Sequence, residues 1–149
     1  MSICMCLENK SIEVKFMKKH LEVVAAILIY QGKILCMQRG EGKYAYVSKK
    51  FEFPGGKIEP GEAKHAALER ELREEMAIQV TIKESDLYMT INHEYPDFTL
   101  TMYTFKCQLT KPDFVRKVHI DAKWMLPKEL NTLDWAPADW PITKKLATE

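Results

Sequence analysis

The chain has 149 residues, of which 46% are hydrophobic and 29% charged, and its formal net charge is +1. This length and composition are those of one ordinary globular domain that can bury a core. Because the net charge is close to zero, a surface dedicated to duplex nucleic acid or to an anionic membrane is not expected.

Three features of the sequence bear on its location. The longest apolar run, 23–29, is far too short to span a bilayer. The N-terminus lacks the basic and apolar regions of a signal peptide. The four cysteines form no C-x-x-C pair and have no zinc-like spacing with histidine; they are Cys4, Cys6, Cys36 and Cys107. They predict reduced thiols and a cytoplasmic protein.

The predicted elements alternate along the chain. Residues 1–16 are an N-terminal extension of uncertain role, and residues 17–149 are predicted to form one domain. Strands are expected at 23–30, 34–39, 78–82, 87–94, 99–108 and 120–126. Helices are expected at 63–76, in a short stretch after Pro127, and at 141–147. Strands interspersed with helices predict an α/β fold in which a mixed sheet lies between helical layers.

The helix at 63–76 carries an unusual cluster of carboxylates. At about 100° per residue, Glu71, Glu74 and Glu75 fall within one sector roughly 100° wide. The adjoining apolar stripe is formed by Leu68, Leu72 and Met76. Like charges this close repel one another, and an all-oxygen cluster suits Mg²⁺ or Mn²⁺. The alternative is a solvated acidic face that pairs with Arg70 and Arg73.

The full spacing resembles the Nudix box. Gly56 is followed after five residues by Glu62, and after seven more by Arg70-Glu-Leu-Arg-Glu-Glu-Met-Ala-Ile. The resemblance covers most of the chain and implies an α/β/α sandwich that hydrolyses nucleoside diphosphate derivatives with a divalent metal. Ala77 departs from the pattern, because the family usually has glycine there. A left-handed residue at that helix end costs about 1 kcal/mol when it is alanine, unless the chain leaves the helix differently.

The resemblance also implies roles for the residues of the box. It places the metal on Glu71, Glu74 and Glu75 together with the carbonyl oxygen of Gly55. Glu71 is the expected base that accepts the proton of the attacking water. Arg70 is expected to orient the glutamates, and Glu62 either caps the helix or braces Arg70. Gly55 and Gly56 permit a close backbone approach that a Cβ would obstruct.

A second departure lies before Trp124, a residue predicted to belong to the core. Many relatives that act on nucleoside triphosphates have glutamate six residues earlier, as an additional metal ligand or base. Val118 stands at that position here. His119 and Asp121 are candidates to replace the missing group, or else they are ordinary strand or loop residues.

Three segments resemble the MutT-type branch, whose members convert nucleoside triphosphates to monophosphate and pyrophosphate. They are 51–57 (FEFPGGK), 94–97 (EYPD) and 136–141 (APADWP). In that branch the last segment reads the base, and a carboxylate at Asp139 suits the two N–H donors of guanine. The expected activity is therefore 8-oxo-dGTP hydrolysis. Related enzymes with the same segment hydrolyse CTP and modified dCTP, and a plain structural role in a turn is a further alternative.

Other candidate substrate contacts are Arg39, Glu52, Phe53 and Gly56, and for Arg39 a surface role is an equal alternative. Phe53 and Trp140 offer apolar faces to the base, although core packing is the commoner role of such residues. The rival to an enzyme is a nucleotide-sensing module with weak chemistry, suggested by Ala77 and Val118. The expected partner is a nucleoside triphosphate, and the expected assembly is a monomer or a homodimer.

Overall fold

A seven-stranded mixed sheet forms the centre of the molecule in the computed structural model, which describes residues 18–149. Its strands are β1 (Lys19–Tyr30), β2 (Lys33–Gln38), β3 (Phe51–Glu52), β4 (Gly55–Lys57), β5 (Leu87–Glu94), β6 (Phe98–Gln108) and β7 (Asp121–Met125). The order is β3-β2-β1-β6-β5, while β4 pairs with β1 and β7 with β2. β1 and β6 run parallel, and the other pairs are antiparallel. The predicted extension, 1–16, lies outside the described residues.

The central strand β1 is buried on both faces, which is why residues 23–29 form a continuous apolar run. Side chains on a strand alternate between the two faces of its sheet. Val24, Ala26 and Leu28 accordingly belong to one hydrophobic core, and Ala25 and Ile27 belong to a second core on the other face. The sheet therefore separates two cores, and each needs its own covering layer.

Helix α1 (Lys64–Met76) covers the first core. The predicted stripe of Leu68, Leu72 and Met76 is buried there, as its spacing indicates. The helix ends at Ala77, which has φ 55° and ψ 33° and donates its N–H to the carbonyl oxygen of Arg73. The chain thus adopts the left-handed helix end that the family normally builds with glycine.

Helix α2 (Trp140–Ala147) covers the second core through Ile142 and Leu146. Short 3₁₀ turns at Glu84–Asp86, Pro127–Thr132 and Pro137–Asp139 complete the connections. With one helix on each face of the sheet, the predicted α/β/α sandwich is confirmed. No helix among residues 18–149 is long and apolar enough to cross a membrane.

One predicted strand is wrong. Residues 78–82 alternate apolar and polar as a strand would, but they pair with no neighbouring strand. Ile78 and Ile82 are nevertheless buried beneath α1, and the N–H of Ile82 donates to the Glu69 carboxylate at 3.1 Å. The alternation reflects burial on one side of an extended connection. Trp124 is only half-buried at the margin of the same core.

Candidate active site

Two adjacent glycines bring β4 against β1 and α1. Gly55 and Gly56 pair with Ala25 and Val24 of β1. A Cβ on Gly55 would lie 1.9 Å from the carbonyl oxygen of Val24, and one on Gly56 would lie 2.3 Å from the carboxylate carbon of Glu71. The Cβ on Gly55 would meet backbone atoms, so only glycine fits there, whereas the Cβ on Gly56 would displace the end of the Glu71 side chain. The Glu71 carboxylate is thereby held directly against the strand that precedes the helix.

Glu71 and Glu75 form the centre of the acidic cluster. The Glu71 side chain is 13% exposed, and Glu75 is half-buried beside it. Burial, together with the charge and hydrogen bonding of Glu71, raises the pKa of Glu75 to about 7. A carboxyl group whose ionisation is opposed by a neighbouring carboxylate marks a place where a cation would be stabilising.

The guanidinium of Arg70 connects four acidic or carbonyl groups around this pair. It binds Glu62 in a bidentate manner, with Nε–Oε2 2.8 Å and Nη2–Oε1 2.9 Å. Nη1 lies 2.9 Å from Glu71 and 3.3 Å from Glu74, and Nη2 donates to the carbonyl oxygen of Lys57. This hydrogen bonding to Arg70 lowers the pKa of Glu62 to about 2. The geometry agrees with an orienting role for Arg70 and with Glu62 as its brace.

The chemistry of the acidic cluster fits a divalent metal, although its carboxylates are not gathered around one point. Among residues 18–149, no three carboxylate, imidazole or thiol groups gather into a ready-made metal cage. Glu74 is 58% exposed and shares Arg70 with Glu71. The available donors are all oxygens, as Mg²⁺ and Mn²⁺ prefer, and the crowded pair Glu71 and Glu75 would gain from a positive charge.

Glu52 connects the acidic cluster to the other end of the site. Its Oε2 lies 2.9 Å from Nε2 of His119, and its Oε1 accepts from Arg39 at 3.3 Å. The charges of Glu52 and His119 act on Glu75 in opposite directions, Glu52 raising its pKa and His119 lowering it. His119 is therefore close to the carboxylates, as one of the two sequence-based alternatives requires. The other candidate, Asp121, accepts the backbone N–H of Ala122 at the start of β7.

Asp139 lies at the end of the site remote from Arg70. It is 5% exposed, and its Oδ1 accepts the backbone N–H of Phe53 at 3.1 Å. Burial raises the pKa of Asp139 well above the usual range, and the charge of Glu52 adds to this rise. The ring of Phe53 packs on Trp135 with centroids 4.7 Å apart, so this ring is part of the core. Trp140 is half-buried against that core.

Sequence reasoning missed an aromatic cluster beside Asp139. Tyr44 stacks on Tyr46 at 5.3 Å, and Tyr46 stacks on Tyr95 at 4.9 Å, which also contacts Phe98. The hydroxyl of Tyr95 accepts the N–H of Ala138. Tyr44 and Tyr46 belong to the connection between β2 and β3. The Tyr-x-Tyr pair at 44–46 was the available signal in the sequence.

Residues 19–146 match the sequence pattern of the NUDIX domain family. The chain belongs to this family, whose members generally need a divalent metal, and it is of the MutT type that the sequence indicated. It is 31% identical to the 8-oxo-dGTP diphosphatase of Escherichia coli (strain K12) over 86% of this chain and 97% of that protein. It is 36% identical to the CTP pyrophosphohydrolase of the same organism, over 83% and 89% of the two chains.

A solved structure gives the same result. The Nudix hydrolase MutT from methicillin-resistant Staphylococcus aureus 252 is 39% identical and superposes with a TM-score of 0.68. The superposition covers 89% of this chain and 98% of that one. Fold, class of enzyme and sequence motif therefore agree.

Proposed function

We propose that the protein is a metal-dependent pyrophosphohydrolase that cleaves 8-oxo-dGTP or a similar modified nucleoside triphosphate to monophosphate and pyrophosphate. The observation that carries this proposal is the carboxyl pair Glu71 and Glu75, in which Glu71 lies directly against Gly56 and its charge raises the pKa of Glu75. The similarity to two 8-oxo-dGTP diphosphatases, at 31% and 29% identity, supports this class of substrate.

Mg²⁺ is the proposed metal, with Mn²⁺ as the alternative, and its proposed ligands are Glu71, Glu74, Glu75 and the carbonyl oxygen of Gly55. When bound, the ion would offset the charge of the polyphosphate and lower the pKa of the attacking water. Glu71 is the proposed acceptor of that water's proton. Its 2.9 Å ion pair with Arg70 fixes the orientation of the carboxylate.

Base selection is assigned to Asp139, with Arg39 and Glu52 as further contacts near the substrate. A carboxylate presents two acceptors, which match the N1–H and N2–H donors of guanine. Asp139 retains one oxygen without a bond to Phe53, and Oδ1 itself has a second lone pair. In the proposed arrangement, Asp139 therefore still offers two acceptors to the N1–H and N2–H donors of guanine.

One observation favours cytosine nucleotides as the second candidate. The burial that raises the pKa of Asp139 favours the protonated acid. A carboxylic acid presents one donor and one acceptor, which match N3 and the N4 amino group of cytosine. This chemistry explains how an aspartate can serve a CTP pyrophosphohydrolase, the activity named for the relative at 36% identity.

The cytoplasm is the proposed location. Cys36 and Cys107 are free and buried, and burial raises the pKa of each thiol to about 12. Thiols of this kind are unreactive structural residues, as expected in a reducing compartment.

The first experiment is product analysis by chromatography with a panel of substrates under Mg²⁺. The panel contains 8-oxo-dGTP, dGTP, CTP, dCTP and 5-methyl-dCTP, with ADP-ribose as the outgroup. Monophosphate and pyrophosphate formed at least tenfold faster from 8-oxo-dGTP, about 1.4 kcal/mol of discrimination, supports the guanine assignment. Faster cytosine turnover supports the second candidate. If Mg²⁺ raises affinity without turnover of any compound, the protein is a binding module.

Glu74→Gln tests the mechanism independently of the base. Glu74 is 58% exposed, so the variant should lose turnover while its melting temperature hardly changes. Glu84→Gln, at an exposed position in a 3₁₀ turn, is the matched control. Normal turnover by the Glu74 variant would exclude the proposed metal site.

A further inference from the structure

The hydroxyl of Tyr95 touches the segment that carries Asp139. Tyr95 follows β5, is 4% exposed, and accepts the backbone N–H of Ala138 at 3.0 Å. Ala138 immediately precedes Asp139 within the 3₁₀ turn Pro137–Asp139. A buried N–H that loses its acceptor is costly, so this single bond fixes the turn on the side facing β5.

Two other bonds fix the same turn from the opposite side. Ala136 donates its N–H to the carbonyl oxygen of Phe51 at 2.8 Å, and Asp139 accepts from the N–H of Phe53 at 3.1 Å. Both partners flank Glu52, the residue that links Asp139 to the acidic cluster. Of these three hydrogen bonds, two involve residues in or next to β3. The third, from Tyr95, involves a residue next to β5, at the opposite end of the strand order.

The position of the Tyr95 ring is itself determined by its neighbours. Tyr46 stacks on it with an interplanar angle of 12°, and His93 meets it edge-on at 4.3 Å. The hydroxyl of Tyr46 in turn donates to Asp97 at 2.8 Å in the β5–β6 hairpin. A ring enclosed in this way has little freedom, and its hydroxyl is a rigid acceptor for Ala138.

We propose that Tyr95 is a positioning residue for base recognition, which acts through Ala138 to fix the carboxyl group of Asp139 toward the nucleobase. This inference rests on the proposed function, because it takes Asp139 as the group that reads the base. It assigns no proton transfer to Tyr95 and no contact with phosphate. Removal of its hydroxyl should therefore weaken binding of the nucleobase and leave binding of the polyphosphate unchanged.

Tyr95→Phe tests the proposal, with Tyr88→Phe as the matched control. Tyr88 lies in β5 and also makes one side-chain hydrogen bond. Its partner is Glu149 and not the segment that carries Asp139. Calorimetry gives the affinity for dGMP, and inhibition by tripolyphosphate gives the affinity of the same site for a probe without a base. Tyr95→Phe should weaken dGMP binding about tenfold and leave tripolyphosphate inhibition unchanged, whereas Tyr88→Phe should change neither.

The same measurements in an Asp139→Asn background show whether Tyr95 acts through Asp139. In that background the loss of the hydroxyl should have no further effect on dGMP binding. An equal loss there, a parallel loss for tripolyphosphate, or no loss at all overturns the proposal. If Tyr95→Phe does not fold, Tyr46→Leu, which removes the ring stacked on Tyr95, is measured in the same way.

The two proposals fail in different ways. A wild-type protein that hydrolyses no triphosphate yet binds dGMP in a Tyr95- and Asp139-dependent manner refutes the proposed hydrolysis and supports the positioning role. A protein that hydrolyses 8-oxo-dGTP with unchanged dGMP binding in Tyr95→Phe supports the hydrolysis and refutes the positioning role.

Discussion

The imidazole of His119 lies 2.9 Å from the carboxylate of Glu52, although the two residues are 67 positions apart in the sequence. The His119 side chain is 5% exposed and that of Glu52 is 24% exposed. The pair joins the connection before β7 to β3, and both members act on the ionisation of Glu75. His119 thus lies close to the carboxylates of Glu52 and Glu75. It directly follows Val118, the position at which many relatives have glutamate.

His119→Ala should lower both stability and activity. The variant leaves a largely buried carboxylate with Arg39 as its remaining partner, at a cost of about 1–3 kcal/mol in the free energy of unfolding. Urea denaturation measures that loss, and a titration of activity against Mg²⁺ should show a higher concentration for half-activation. His119→Gln keeps a donor for Glu52 and should recover much of both. Alanine at the exposed His20 is the control, and wild-type behaviour of His119→Ala would contradict the argument.

Gly56→Ala should inactivate the enzyme without unfolding it. The new Cβ would lie 2.3–2.6 Å from the carboxylate atoms of Glu71, so that carboxylate must move. Displacement of a catalytic group by about 1 Å can cost on the order of 100-fold in rate. Because the displaced atoms are the end of a flexible side chain, stability should fall only slightly.

Gly42→Ala is the control for this substitution, since no atom lies within 4 Å of its added Cβ. Measurement of kcat and of the melting temperature for both variants separates the two effects. A Gly56→Ala variant that retains most of its activity would show that the position of the Glu71 carboxylate does not control the rate.

The parts of the site that were predicted from sequence are those that depend on local spacing. Helical periodicity placed Glu71 beside Glu75 and buried Leu72, because both relations hold within two turns of one helix. The strand expected at 78–82 failed for a non-local reason, since a strand needs a partner that local alternation does not reveal. The contact of Tyr95 with Ala138 joins residues 43 positions apart, and only the assembled sheet brings them together.

Ala77→Gly should stabilise the protein. Ala77 has φ 55°, a conformation that costs an L-residue with a Cβ roughly 1 kcal/mol and costs glycine almost nothing. The melting temperature should rise by about 2–4 °C, as expected for this gain in a domain of about 150 residues. No ligand atom changes, so kcat should stay constant.

Ala66→Gly supplies the opposite case within the same helix. Ala66 lies inside α1, where glycine should destabilise by about 1 kcal/mol. Thermal melts of both variants therefore test whether the sign of the effect follows the backbone conformation. A loss of stability in Ala77→Gly would mean that another interaction of the alanine side chain outweighs its strain.

The base preference of the enzyme should depend on pH through Asp139. Burial raises the pKa of this carboxyl group, so its folded form retains a proton to higher pH than an exposed aspartate does. Below the raised pKa the acid offers one donor and one acceptor, which suit cytosine. Above it the carboxylate offers two acceptors, which suit guanine. The ratio of kcat/KM for dGTP to that for dCTP should therefore rise with pH.

Steady-state kinetics on both sides of neutrality, below the pH at which guanine loses its own N1–H proton, measures this ratio, in which effects common to both substrates cancel. Asp139→Asn is the matched control, because its amide presents a donor and an acceptor at every pH and should make the ratio constant. A ratio that falls as pH rises, or one that changes equally in Asp139→Asn, would show that the titration of Asp139 does not select the base. Ionisation of the acidic cluster enters both rates alike, so it changes the activity without changing the preference.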